Sequence, residues 1–441
     1  MKLGPRDFHA LSQDAKAAAP GDRERSSVRQ APTLRESIAE EIHRHGPIPF
    51  SRYMELCLYE PELGYYSRTR EQFGKAGDFY TSSDVHAVFG RLLARQFEEM
   101  WRLLGSPARL DLIELGPGRG LFARDVLDWS ARQFPALADV LRYLLVEQSS
   151  HLRTRLQERL AEHVAAGRAQ VFDTMDTAAE AAGENVIVFA NEFFDALPVE
   201  AVDHRGAVRV GFEQGHFVES FVAASAEEQE FLDRFGVHPE QGERVEAPLA
   251  SLEWMERIAN VFHSTPKAGP SARAEALGRD DSRNEPTDGE KQPVTMSGRR
   301  GFAVVIDYGY TREEQLAGRH RDTIMTYRQH SARCSPYEAP GEQDITAHVN
   351  FTALRGRGVE RGLEALGLVT QSQFLIGIGE QTQFADAFQD CKLPQERAKV
   401  ALQLKHLITP GGMGETFQVL VMGHGVGREQ ATSLSGLRFA R

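Results

Sequence analysis

Two short stretches carry the residues best placed to do chemistry. The first, Asn191 to Pro198, reads NEFFDALP and sets two carboxylates, Glu192 and Asp195, three residues apart. On a helical turn they share a face, and in a loop they can flank a pocket. Such a pair can orient a hydrogen-bond-donating group and accept a proton from it. Asn191, at the end of an apolar run, adds an amide that can contact cofactor or substrate. The second stretch, RLDLIELGPGRGLFARDVL from Arg109 to Leu127, ends an apolar run on Glu114, breaks at Gly116, Gly118 and Gly120, and resumes as helix. Glycines there let the chain turn sharply and let bare backbone approach a ligand. The helix start behind them offers free N–H groups and a positive dipole end. Both stretches also have a plain structural reading. The glycines can be a tight turn, and NEFFDALP a strand-to-helix turn in which Asn191 caps and Phe193, Phe194 and Leu197 fill the core.

The surrounding pattern supplies elements to hold these groups. LDLIEL, RYLLVE, AQVFD, VIVFAN and FAVVIDY read as strands, most of them followed by helical sequence. That alternation predicts an α/β protein whose parallel sheet is covered on both faces. Glu147 closes the second strand, where a carboxylate can accept hydrogen bonds from both hydroxyls of a ribose. Asp173, with Thr174, closes the third, near the expected adenine edge. Toward the C-terminus VERGLEALGL reads as helix, and SQFLIGIG and TFQVLVMGHGV as two further strands.

Other segments fall around that core. Residues 1–32 read as a disordered tail, 33–108 as an N-terminal helical cover, 109–425 as the main domain and 426–441 as a C-terminal tail. Within the cover, GKAGDFYTSSD is expected to fold over the ligand, with Gly77 and Asp78 turning the chain and Phe79 and Thr81 near the ligand. Inside the main domain a helical insertion is expected at about 225–263, and a disordered loop, rich in Pro, Gly, Ser and charge, at 264–300. IDYGY offers Asp307 and Tyr308 as mouth residues, though a turn-forming acid and a packed tyrosine fit equally. His43 and His45 read as exposed.

Composition narrows the classes. A formal charge of −12 over 441 residues argues against a nucleic-acid partner. Three dispersed cysteines exclude a disulfide framework and any local cysteine metal motif, and fit a reducing, cytoplasmic compartment. No apolar run reaches the roughly 20 residues of a membrane helix.

The glycine loop decides between ligands. A dinucleotide fingerprint asks for glycine at position 121, where this chain has Leu121, so an NAD-dependent oxidoreductase is disfavoured. Glu114 with the three glycines instead resembles the first motif of class I S-adenosylmethionine-dependent methyltransferases, in which the acid helps organise the ammonium end of the cofactor. MELCLYEPELGYYSR, GDFYTSSDV, IELGPGRG, NEFFDALPVEA, VIDYGY and GEQDITAHVNFTAL, in that order from about residue 36 to 425, resemble the MidA family. One departure is Thr81-Ser82-Ser83-Asp84, where the family commonly has Thr-Ser-Pro-Glu.

The resemblance implies a Rossmann-like class I methyltransferase fold with a seven-stranded sheet, and S-adenosyl-L-methionine as cofactor. It also implies symmetric dimethylation of an arginine in a protein, in the family's mitochondrial member a subunit of the respiratory NADH–quinone oxidoreductase. Glu192 is then the first choice for orienting substrate and Asp195 the second, and His330, Asp344, Thr346, His348 and Asn350 become of interest. A cofactor-binding assembly scaffold and a small-molecule methyltransferase stand as alternatives. No metal site is expected.

Overall fold

The computed structural model describes residues 32–67, 87–265, 298–317, 322–328, 331–332 and 335–440. The N-terminal tail and nearly all of the 264–300 loop lie outside the described residues, as do Gly77, Asp78, Phe79, Thr81 and His330. At the centre, β1 (Leu110–Leu115), β2 (Leu141–Val146), β3 (Ala169–Phe172), β4 (Asn185–Asn191), β5 (Arg300–Tyr310), β6 (Glu364–Thr370) and β7 (Phe417–His424) lie in the order β6-β7-β5-β4-β1-β2-β3. The first five are parallel, and β7 runs antiparallel between β5 and β6. The sheet has eight strands rather than the expected seven, because Val349–Asn350 pairs with the end of β5 at Gly309 and Tyr310.

Parallel strands covered on both faces are buried along their length and largely apolar. All six residues of β1 are buried accordingly. Leu110 and Leu112 face one core, with Phe89, Phe97 and Phe122 from helices Ala87–Leu103 and Leu121–Gln133. Ile113 and Leu115 face the other, with Met255 and Phe262 from Leu249–His263. Strand order reverses between β1 and β4, and ligands of open α/β sheets bind at such a point, beyond the carboxyl ends of the strands. Glu114 and Asn191 stand there.

Two expectations need correction. SQFLIGIG is not a strand: Gln371–Glu380 is a helix, and the strand is the preceding Glu364–Thr370, which takes in the second half of VERGLEALGL, expected as helix. The boundary is set by Thr370, whose hydroxyl accepts the Gln373 N–H while the Gln373 side chain returns to the Thr370 N–H. Short apolar runs fit either period, so pattern alone does not resolve them.

The second concerns the insertion. Its helices are present, Ala226–Phe235 and Leu249–His263, but a five-stranded sheet begins before the expected bound at 225, from Glu200–Asp203, Gly206–Glu213, His216–Val222 and Arg244–Ala247, joined by Ile48–Pro49 of the N-terminal segment. Helices Leu34–His45 and Phe50–Tyr59 pack on this sheet through Ile38, Phe50, Tyr53, Val208 and Val210. A third, three-stranded sheet sets Met325–Arg328 between Ser331–Ala332 and Asp344–Thr346.

Candidate active site

A cavity of about 580 Å³ opens at the carboxyl ends of β1, β2 and β4. One end is built by the glycine loop. Glu114 is buried, and the Tyr143 hydroxyl donates to its Oε2 at 2.8 Å. Burial pushes its carboxyl up to about 8, and the tyrosine opposes that only in part. The three glycines do different work. At Gly116 a Cβ would meet the Phe193 ring at 2.9 Å, and at Gly120 the Leu156 side chain at 2.6 Å. At Gly118, with φ of +50°, a Cβ would meet nothing within 4 Å, so its backbone lies bare against the cavity. Glu147 lines the wall, its Oε1 held by the Ser149 N–H at 2.8 Å, and burial raises it to about 7. Bare backbone, an acid at the loop and an acid after β2 fit a nucleoside with a cationic amino-acid tail.

The other end is built by Asn191–Pro198. The Glu192 N–H continues the ladder to Ile306 at 3.0 Å, yet its φ of +50° turns the chain out of the sheet. Asn191 Nδ2 donates to Glu192 Oε1 at 3.2 Å. Asp307 then clamps the turn: its Oδ2 accepts the N–H groups of Phe193 (3.2 Å), Phe194 (2.9 Å) and Asp195 (3.2 Å), and its Oδ1 that of Tyr308 (3.0 Å). Burial and the charges of Asp195 and Glu192 push Asp307 well above the usual carboxylate range, against the pull of those donors. Asp195 is buried beside the Tyr308 hydroxyl and rises to about 6. Asp195 Oδ1 and Asn191 Oδ1 are buried acceptors with no partner among the described residues.

Residues distant in sequence complete this end. The Tyr59 hydroxyl donates to the Ala196 carbonyl at 2.9 Å, and the Tyr66 hydroxyl to Asp344 Oδ1 at 2.9 Å. The Ala347 N–H donates to the Asp195 carbonyl at 2.9 Å. Trp254 lines the cavity edge-on to Phe193, ring centroids 4.9 Å apart.

The structure thus brings Glu114, Gly116, Gly118, Glu147, Asn191, Glu192 and Asp195 to one cavity, with Gly120 behind the loop. Asp173 does not join them: it is exposed at the end of β3 and accepts from the Thr177 hydroxyl at 3.3 Å, while Thr174 caps helix Met175–Ala181. Asp307 is a buried clamp rather than a mouth residue. Asn350 caps helix Phe351–Glu360, and His348 stands edge-on to Tyr308. Tyr59 and Tyr66 lie in MELCLYEPELGYYSR, a stretch that carries the family resemblance, but neither they nor Trp254 had a role assigned, because no spacing links them to the acids they approach. No group of three potential metal ligands occurs among the described residues.

A mixed α/β sheet with a nucleoside-sized crevice and acids at its strand ends defines a methyltransferase-like protein. Residues 92–369 match the family described as "Putative S-adenosyl-L-methionine-dependent methyltransferase", and the chain belongs to that family. The Drosophila melanogaster mitochondrial protein arginine methyltransferase NDUFAF7 homolog is 29% identical over 414 residues, 89% of this chain and 85% of its own length. The Homo sapiens mitochondrial NDUFAF7 is 28% identical over 410 residues, 89% of this chain and 83% of its own. A solved Burkholderia thailandensis structure bound to S-adenosyl-homocysteine is 28% identical with a TM-score of 0.70, covering 91% of this chain and 94% of that one.

The MidA resemblance is borne out, and S-adenosyl-L-methionine is the family's cofactor. The cytoplasmic expectation is overturned, because the relatives that match most of the chain are mitochondrial proteins. Cysteine usage reports redox conditions, which do not identify a compartment. Among the described residues no helix is long and apolar enough to cross a membrane.

Proposed function

We propose that this methyltransferase modifies a guanidinium nitrogen of an arginine in a protein, giving symmetric dimethylarginine. The observation that carries the reading is the acceptor end of the cavity. Asp195 is buried there with an unpartnered oxygen and a raised pKa, and Glu192, Asp344, Tyr59 and Tyr66 line the same space. Burial raises the proton affinity of Asp195, and an arriving cation favours its ionised form. A planar guanidinium meets carboxylates as a bidentate fork and aromatic faces as a cation, which suits this lining. The names of the mitochondrial relatives support the same acceptor.

The cofactor, when bound, supplies an electrophilic methyl group on a sulfonium. The chain's own residues do the rest. Gly118 and Glu147 hold the nucleoside end, and Glu114 the ammonium end. Glu192 orients the guanidinium, and Asp195 accepts hydrogen bonds from it and takes up the proton it must lose, since an arginine of pKa about 12.5–13.8 is otherwise a cation without a nucleophilic lone pair. The strand order supports a class I arrangement carrying an added eighth strand. By resemblance, the protein acceptor is a subunit of an NADH–quinone oxidoreductase.

The test is label transfer. Protein extract from cells lacking this gene is incubated with methyl-labelled cofactor and the chain, digested, and read by mass spectrometry. Labelled symmetric dimethylarginine is expected, falling by about 100-fold or more in Glu192→Gln while cofactor affinity stays within about threefold. Label in lysine or lipid would overturn the reading.

A further inference from the structure

Asp344 reaches the cavity from a segment unconnected to the acceptor loop. It lies in the strand Asp344–Thr346, paired to Met325–Arg328 in the third sheet. Only 3% of it is exposed, yet it lines the cavity. Its Oδ1 accepts the Tyr66 hydroxyl at 2.9 Å, which fixes one edge of the carboxylate. Three hydrogen bonds close a ring of segments around this end: Tyr59 to Ala196, Ala347 to Asp195, and Tyr66 to Asp344. The Tyr59 and Tyr66 rings lie 5.5 Å apart, and each feels the charges of both Asp195 and Asp344. The two acids therefore share one recess, and Asp195 Oδ1 within it still lacks a partner.

Resting on the arginine reading above, we infer that Asp344 is a substrate-contacting residue, accepting a hydrogen bond from the guanidinium fork while Asp195 engages it from the other segment. The consequence is selectivity. Two carboxylates from separate segments can be bridged by a planar fork with donors on several nitrogens. A lysine ammonium is a compact point charge that lacks the fork's fixed, parallel donors for meeting carboxylates bidentately. Tyr66 acts through Asp344 and is a positioning residue. Asp344 thereby separates arginine from lysine at a site where charge alone would admit both.

The experiment uses the full chain saturated with S-adenosyl-homocysteine, titrated with Nα-acetyl-arginine amide and, separately, Nα-acetyl-lysine amide. The unaltered protein should favour the arginine probe. Asp344→Asn should weaken it about tenfold or more and narrow the preference over lysine, with S-adenosyl-homocysteine affinity within about threefold. Tyr66→Phe should move the same quantity by about threefold. Unchanged arginine binding in Asp344→Asn, or an equal loss of S-adenosyl-homocysteine, would overturn the assignment.

The two levels of the reading fail differently. No preference for arginine in the unaltered protein sinks the arginine acceptor itself, and Asp344 with it. A preference that Glu192→Gln lowers and Asp344→Asn does not sinks the Asp344 assignment alone.

Discussion

The two ends of the cavity are built on different plans. The cofactor end comes from one strand, its turn and its helix, plus the acid after the next strand. Most of it is local, although the Phe193 ring of the acceptor loop packs against Gly116. The acceptor end joins three stretches, around residues 59–66, 191–198 and 344–347, with Asp307 clamping the middle one from below. Its geometry belongs to the set of ties rather than to any one. A locally specified backbone should be brittle to single changes, and a distributed one tolerant of losing any one of the ties that hold it.

The sharpest break is Gly118→Val. A Cβ there meets no protein atom, so the fold has room for it, and the strain at a φ of +50° is about 1–2 kcal/mol. If the loop holds the cofactor as proposed, the added side chain takes up open space at the cavity wall that the ligand would occupy. Cofactor affinity by calorimetry should fall by about 100-fold, some 2.7 kcal/mol, in a protein that still melts cooperatively. Near-normal binding would mean that the glycine loop is only a turn.

The next test is protonation at the cofactor end. Glu114 at about 8 and Glu147 at about 7 stand above their ordinary 4.5, so the cofactor-free chain holds protons at pH 6 that its unfolded form has released. The stability this brings is fully present below about pH 4.5 and is lost as pH rises through 7 and 8. An ammonium beside Glu114 and ribose hydroxyls on Glu147 favour the ionised forms, so cofactor binding should expel protons. Affinity should rise by up to about tenfold per pH unit for each proton released, and with both acids losing theirs by more than tenfold per unit between 6 and 7. Calorimetry in two buffers of different ionisation enthalpy counts the protons, and uptake in place of release would contradict this assignment of Glu114 and Glu147.

The same contrast explains what could be read in advance. The strand, the glycines and Glu147 were legible because period, turn chemistry and strand-end acids are local signals. At the acceptor end only NEFFDALP had that character. Tyr59 meets Ala196 across 137 residues, and Tyr66 meets Asp344 across 278, and no spacing rule spans such gaps. Asp307 was visible as an acid at a strand end, but whether it faces the mouth or turns inward depends on which donors fold over it. The five-stranded sheet did leave a trace. Gly206–Glu213 and His216–Val222 flank a two-residue turn, Gln214–Gly215, with φ of +48° and +83°. The primed turns of hairpins ask for such angles, but Gln-Gly is a weaker signal than Asn-Gly.

The smallest effect, and the most instructive about a distributed site, is expected at Asp307. In Asp307→Asn one oxygen must serve where two did, and whichever way the amide is turned, a donor meets a donor. The cost should be about 1–3 kcal/mol in unfolding free energy, read from a denaturant titration, since buried N–H groups lose an acceptor. Turnover should nevertheless fall by less than about tenfold, because Glu192 still bonds Ile306, Tyr59 still bonds Ala196 and Ala347 still bonds Asp195. Cofactor affinity should hardly move. The double variant with Tyr59→Phe removes a second tie from the same loop, and its loss should exceed the sum of the single losses, as expected for groups that hold one element jointly. Simple additivity would mean that each tie acts alone, and the acceptor end would then be as locally specified as the glycine loop.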